Sequence, residues 1–205
     1  MPTESLFRWI CLGALVLSIG LSGYYRKRAR QEGDVIARRS EEGLMIALRL
    51  LVTLPLLLTI VAYLVNPAWM AWAQVNIPLW LRWVGAALML GAAPLVVWVL
   101  RSIGRNISET VLTKASHELV TSGPYRWVRH PLYTTGLILL TGLSLLTANA
   151  FITCLVLLIG VLIVSVVIPR EEAALIKVFG ERYQRYKRHT GRLLPSLHRK
   201  VSLQS

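Results

Sequence analysis

The sequence predicts an all-α integral membrane protein with five transmembrane helices, the last two a tight hairpin, plus a cytoplasmic loop and an amphipathic C-terminal helix. Three observations carry that prediction. Of the 205 residues, 55% are hydrophobic and 16% charged, where a soluble domain carries about 25% charge. The apolar residues come in uninterrupted blocks of about 20, the length that crosses a hydrocarbon core. The basic residues, 23 Lys and Arg against 10 Asp and Glu for a net charge of +13, sit between those blocks, where they read as a topology signal rather than a nucleic-acid surface.

The first block runs from Leu6 to Tyr25 and is followed by RKRAR, Arg26 to Arg30. A cleaved signal peptide carries its charge before the apolar stretch and a small-residue cleavage site after it, so this block reads as a retained span with its amino end outside, Arg8 dissenting. The second block, Leu44 to Val65, contains Pro55, which a membrane helix tolerates when neighbours satisfy the freed carbonyl. The uncharged, Trp-rich linker Asn66 to Pro78 fits an outer membrane interface. The third block, Leu79 to Ile103, includes Pro94. After it comes a polar stretch, Gly104 to Arg129, too long for a simple turn and of a size that tends to be functional.

From Leu132 to Ile168 the chain is almost wholly apolar. As one helix it would reach about 55 Å against a hydrocarbon core of about 30 Å, so two spans are expected. Their turn is predicted at Thr147-Ala148-Asn149, where a polar and a small residue interrupt the run. From Pro169 to Ser205 the chain turns basic and amphipathic, with Leu175, Ile176, Phe179, Tyr183 and Tyr186 at three- and four-residue spacing. That predicts a helix on the membrane surface, starting at Pro169, interrupted at Gly180, with its aromatic residues toward lipid. Twenty of the Lys and Arg residues fall on one side of this five-span arrangement and Arg8 and Arg82 on the other, which places the carboxyl end and the polar segments in the cytoplasm. Cys11 and Cys154 lie inside apolar blocks without a ligand-spaced partner, so neither a disulfide framework nor a metal site is expected.

Three polar clusters then share the cytoplasmic level: His117 to Tyr125 around the Gly123-Pro124 turn, Arg129 to Tyr133 at the mouth of span four, and Arg170-Glu171-Glu172 past span five. The hairpin makes the ends of spans four and five neighbours, so His130, Tyr133, Glu171 and Glu172 are predicted to converge. Ionisable groups at membrane depth are costly and usually functional.

The pattern LVTSGPYRWVRHPLY, followed after a hairpin by EE and then LIKVFGERYQRYKRHTGRLLP, resembles the isoprenylcysteine carboxyl methyltransferase family and its bacterial and phospholipid-methyltransferase relatives. It covers roughly His117 to Pro195. The resemblance implies an integral membrane enzyme, of a bacterial inner membrane, that moves a methyl group from S-adenosylmethionine to a lipophilic or small acceptor. It divides the chain into residues 1–100, holding the first three spans, and a catalytic region, 101–205. It implies cofactor contacts from His117, Glu118, Leu119, Val120, Gly123, Tyr125, His130, Pro131, Leu132 and Tyr133, and from Glu171 or Glu172. In relatives acting on prenylcysteine an arginine stands about one turn before the acidic pair. Here that place is Val167, and Arg170 is the candidate substitute; an upstream glutamine is replaced by Thr110. These departures leave the acceptor open among a carboxylate, a phospholipid amine and a thiol.

The residue types suit that chemistry. A sulfonium donor is a cation carrying a carboxylate and an amine, so its site needs acidic groups, polar backbone from a turn, and aromatic faces. Glu171 and Glu172, the Ser122-Gly123 turn, and Tyr125 or Tyr133 supply these. A carboxylate or thiolate acceptor arrives ionised, whereas an amine needs a base, for which His130 or a glutamate is the candidate. The rival class is a non-catalytic membrane scaffold or transport accessory, which would bind no S-adenosylhomocysteine.

Overall fold

The computed structural model describes residues 2–31, 43–103 and 119–196. Among these there are seven α-helices: α1 Pro2–Gln31, α2 Gly43–Val65, α3 Leu79–Ile103, α4 Pro131–Thr147, α5 Ala150–Leu162, α6 Ile168–Phe179 and α7 Glu181–His189. The protein is an all-α integral membrane protein. Three helical stretches are long and apolar enough to cross a bilayer, Thr3–Tyr25, Leu79–Ile103 and Ala150–Phe179, and two shorter apolar helices, Leu50–Val65 and Pro131–Thr147, accompany them.

Contacts at the two ends fix the helix directions. At one end Glu4 of α1 pairs with Arg82 of α3, its Oε2 2.8 Å from Nη1, and accepts a hydrogen bond from Tyr63 of α2 at 2.9 Å. Arg82 Nε also donates to Leu146 O of α4 at 2.8 Å. Arg8 donates to Leu64 O and Val65 O, the last carbonyls of α2, so a charge that dissents from the apolar pattern serves as a helix C-cap. At the other end Arg101 of α3 donates to Tyr25 of α1 at 2.8 Å. Hence α1, α3 and α5 run one way and α2 and α4 the other. Exposed Trp9, Trp69, Trp72 and Trp80 ring the first end, and Trp98 and Trp127 mark the second, as interfacial belts do.

The closest pair is α3 against α4, and the reason is two glycines. A Cβ on Gly85 would lie 2.5 Å from Leu146 N and 2.7 Å from Gly142 O, and one on Gly142 would lie 2.8 Å from Gly85 O. Small residues let membrane helices approach this closely, where dispersion rather than water exclusion drives association. Phe7, Cys11, Ala14, Tyr63, Met89, Leu143, Leu146 and Ile152 form the core around the crossing.

The hairpin turns where the sequence predicts. Ala148 takes a left-handed conformation (φ 48°) at the end of α4, and Asn149 caps α5 by accepting from Phe151 N and Ile152 N at 3.1 Å each. The Trp-rich linker folds into a short 3-10 helix, Pro67–Ala73, docked on that turn by Asn149 Nδ2 to Met70 O (3.0 Å) and Val75 N to Ala148 O (2.8 Å).

Two expectations need correction. Pro169 stands in the first turn of a helix as predicted, but that helix is not a separate one on the surface: α5 continues through a π turn, Ile163–Val167, into α6 as one stretch ending at Phe179. The widened turn has already dislocated the hydrogen-bond ladder, so the missing N–H of Pro169 is tolerated there. The tail is amphipathic, but its aromatic edge meets protein. The chain folds back at Gly180 (φ 52°), α7 packs over the second end, and Tyr183 is 1% exposed.

Candidate functional site

The polar residues of the second end meet where α4 begins, α6 passes and the tail returns. His130 precedes α4, whose first residue is Pro131, pre-set for a helical start. The tail binds that mouth through its backbone: Arg129 N donates to Gly191 O (2.8 Å), His130 N to Arg192 O (3.1 Å), and Thr134 Oγ1 to Leu193 O (2.8 Å). Gly191 lets this strap lie flat, because a Cβ there would collide with Leu194 O.

Glu172 is the buried centre, 2% exposed. Its Oε1 lies 3.0 Å from Arg129 Nε, 3.4 Å from His130 Nε2 and 3.8 Å from Arg192 Nε, and its Oε2 lies 2.7 Å from Lys187 Nζ. Arg129 also donates to Lys187 O at 2.9 Å and to Thr190 O. One carboxylate therefore faces three permanent cations, and the surplus positive charge suits an anionic group. Glu171 sits on the other side of His130, its Oε2 3.7 Å from Nδ1, and its side chain is 30% exposed. His130 thus stands between two carboxylates, one locked among cations and one partly exposed, whose nearer oxygen, Oε2, is itself buried.

The sequence-predicted residues fall out as follows. His130, Glu171 and Glu172 are brought together, with the Tyr133 ring 5.8 Å from that of His130. Tyr125 is buried in the short turn Gly123–Arg126, and Tyr186 Oη donates to its carbonyl at 2.5 Å. Leu119 and Val120 are half-buried. Pro131 is buried, and Leu132 packs against Val96 and Leu100 of α3. Gly123 has φ 59°, and the space a Cβ would need is taken by Ser102 Oγ at 2.6 Å, so its freedom serves the approach of this turn to α3. Arg170 is exposed, and the cations on Glu172 are others. His117, Glu118 and Thr110 lie outside the described residues.

Lys187, Arg192, Tyr183 and Tyr186 belong to the candidate site without having been proposed for it, and the sequence places Arg129 only in the polar cluster at the mouth of span four. Arg129 was within reach of sequence reasoning as the neighbour of His130; the remainder depend on the fold-back at Gly180. Burial raises the phenol pKa of Tyr183 above its ordinary value, the nearby charge of Glu172 adding to it and Arg129 opposing. Burial also raises Tyr125, helped by the charge on Glu171, and raises Tyr186. These hydroxyls stay protonated donors. Tyr183 Oη is buried without a hydrogen-bond partner, a cost that a bound polar ligand would remove.

That set fits a sulfonium amino acid donor: cations for its carboxylate, the partly exposed Glu171 for its positive groups, and the phenol of Tyr183 for a polar atom.

The phospholipid methyltransferase family model matches residues 80–182, a span that contains His130, Glu171 and Glu172. Protein-S-isoprenylcysteine O-methyltransferase of Xenopus laevis is 35% identical over 120 residues, 57% of this chain and 41% of that protein. The Schizosaccharomyces pombe protein of the same name is 37% identical over 87 residues, 42% of this chain and 37% of its own. Methanethiol S-methyltransferase of Pseudomonas deceptionensis is 36% identical over 75 residues, 37% of this chain and 28% of its own. The chain thus spans less than half the length of each of these three relatives.

Proposed function

The chain belongs to the phospholipid methyltransferase family, and from that premise we propose that it is a membrane-embedded methyltransferase using S-adenosylmethionine, with a lipophilic or small acceptor. The observation that carries this is the meeting of His130 with Glu171 and Glu172, at 3.7 and 3.4 Å, across the ends of two helices 40 residues apart in sequence. When bound, the donor supplies an electrophilic methyl carbon on a positively charged sulfur.

The residues divide the work. Arg129, Lys187 and Arg192 hold an anionic group by charge-assisted hydrogen bonds, and Glu172 fixes where those cations stand. Glu171, partly exposed, meets positive charge. Tyr183, still protonated, donates a hydrogen bond from its phenol. His130 takes the proton of an amine acceptor or stays neutral beside an acceptor already ionised. Most of the rate comes from holding acceptor and methyl group in line.

A prenylcysteine-type carboxylate is the acceptor the Xenopus and S. pombe names suggest, and a thiol the one the Pseudomonas name suggests; a phospholipid amine is the third class. We place the site end on the cytoplasmic side of the membrane, because 20 Lys and Arg residues fall on that side and two on the other. The test is transfer of a radiolabelled methyl group from S-adenosylmethionine, in proteoliposomes, to a prenylcysteine carboxylate, phosphatidylethanolamine and an alkyl thiol. Transfer to one of them, reduced at least about 100-fold by His130→Ala, is expected; no transfer to any by protein that binds S-adenosylhomocysteine would leave the scaffold reading.

A further inference from the structure

We propose that the π turn at Ile163–Val167 is the device that places the acidic pair in the site, by absorbing one residue and so turning α6 by about 100° relative to α5. Helix phase carries the inference. Along α5 and into the π turn, Cys154, Leu158, Val161 and Ser165 form one exposed stripe. Glu172 follows Ser165 by seven residues, and seven residues fall within about 20° of two full α-helical turns. A regular helix would therefore put Glu172 on that exposed stripe. Instead Glu172 is 2% exposed.

The buried face gives the same answer. Ile152 and Val156 are buried in α5, and Ile168 and Glu172 in α6. The twelve steps from Val156 to Ile168 leave them about 120° apart in a regular helix, and about 20° apart if one residue is absorbed. The absorbed residue is visible in the backbone, since Ile168 N donates to Ile163 O, five residues back. Ser165 Oγ donates to Val161 O at 2.6 Å and ties the widened turn to the one before it. Pro169, with no N–H to give Ser165 O, makes a dislocation at this point inexpensive. Without the π turn the same sequence would direct a carboxylate at lipid and leave Arg129, Lys187 and Arg192 without their counter-charge.

A deletion and an insertion separate this from a merely tolerated irregularity. Deleting Val164 removes the extra residue, so a regular helix keeps Ile168 and Glu172 in phase with Ile152 and Val156. Inserting an alanine between Val164 and Ser165 turns the pair a further 100° or so. Both are read by thermal melting in detergent and by calorimetric titration with S-adenosylhomocysteine. The deletion is expected to melt within about 3 °C of wild type and to bind within about threefold. The insertion is expected to melt well below it and to bind at least about tenfold more weakly. A folded deletion variant that loses as much as the insertion, or an insertion that loses nothing, overturns the proposal. Only the binding readout rests on the proposed function. If wild type binds no S-adenosylhomocysteine, that function fails, and the order of melting temperatures decides the phase argument by itself.

Discussion

Replacing Glu172 by glutamine removes the one charge that three cations share, and the structure gives the size of the consequence. Arg129 is the costly partner, because its side chain is 8% exposed and 3.0 Å away. Breaking a buried ion pair from one side costs about 3–5 kcal/mol. Lys187 and Arg192 are each 40% exposed, so solvent screens them and they add at most about 1 kcal/mol apiece. The glutamine oxygen still accepts from Arg129 and returns about 1 kcal/mol. The net loss is about 2–6 kcal/mol, which at roughly 2–4 °C per kcal/mol for a chain of this length lowers the melting temperature by about 4–24 °C. Glu171→Gln is the contrast. Its side chain is 30% exposed with His130 at 3.7 Å, and screening limits its loss to about 1 kcal/mol or less. The assay is tryptophan fluorescence against temperature in detergent, the chain carrying seven tryptophans. A Glu172→Gln protein melting within about 2 °C of wild type, or a Glu171→Gln protein falling as far, would refute the charge arrangement around Glu172.

Gly85→Ala should destabilise by about 1–3 kcal/mol, since its Cβ would meet backbone of α4 at 2.5 Å. Gly91→Ala, with open space around it, should instead gain up to about 1 kcal/mol of helix propensity, and paired melts check the opposite signs. Tyr125, Tyr183 and Tyr186 have folded pKa values raised above the ordinary 10.0, first of all by burial. Their stability contribution is therefore full below about pH 10 and lost as pH rises through the folded values. Absorbance near 295 nm should show these three resisting ionisation until the protein unfolds, and their titration at about pH 10 in folded protein would contradict their burial. Arg170→Ala should change transfer to carboxylate and amine acceptors little and alike, because Arg170 is exposed and is not among the cations on Glu172; a loss confined to the carboxylate, measured in the same proteoliposomes, would make Arg170 the carboxylate clamp.

The hairpin and the convergence at its open end were legible because each follows from a local signal. Thr147-Ala148-Asn149 interrupts an apolar run too long for one span, and once a hairpin is granted, His130 and the acidic pair share a level. Helix length agrees: Glu171 and Glu172 lie about 32–33 Å along the stretch that starts at Ala150, at the edge of a hydrocarbon core of about 30 Å. The cation nest was not legible. Lys187 and Arg192 reach Glu172 only because the chain reverses at Gly180, and an amphipathic pattern reads alike whether its apolar edge meets lipid or protein. The Gly85–Gly142 crossing was hidden for a related reason, since each glycine looks ordinary until its partner on the other helix is known. The π turn left a trace in the sequence, the break in phase between the apolar stripe of α5 and Glu172, which becomes a signal only when Glu172 is known to be buried.

Calorimetric titration of S-adenosylhomocysteine into the detergent-purified protein, beside the Glu171→Gln, Glu172→Gln double variant, tests the cofactor assignment most directly. The predicted result is saturable binding by wild type that the variant loses while a folded population survives below its lowered melting temperature. No binding by folded wild type, or equal binding by the variant, would contradict it.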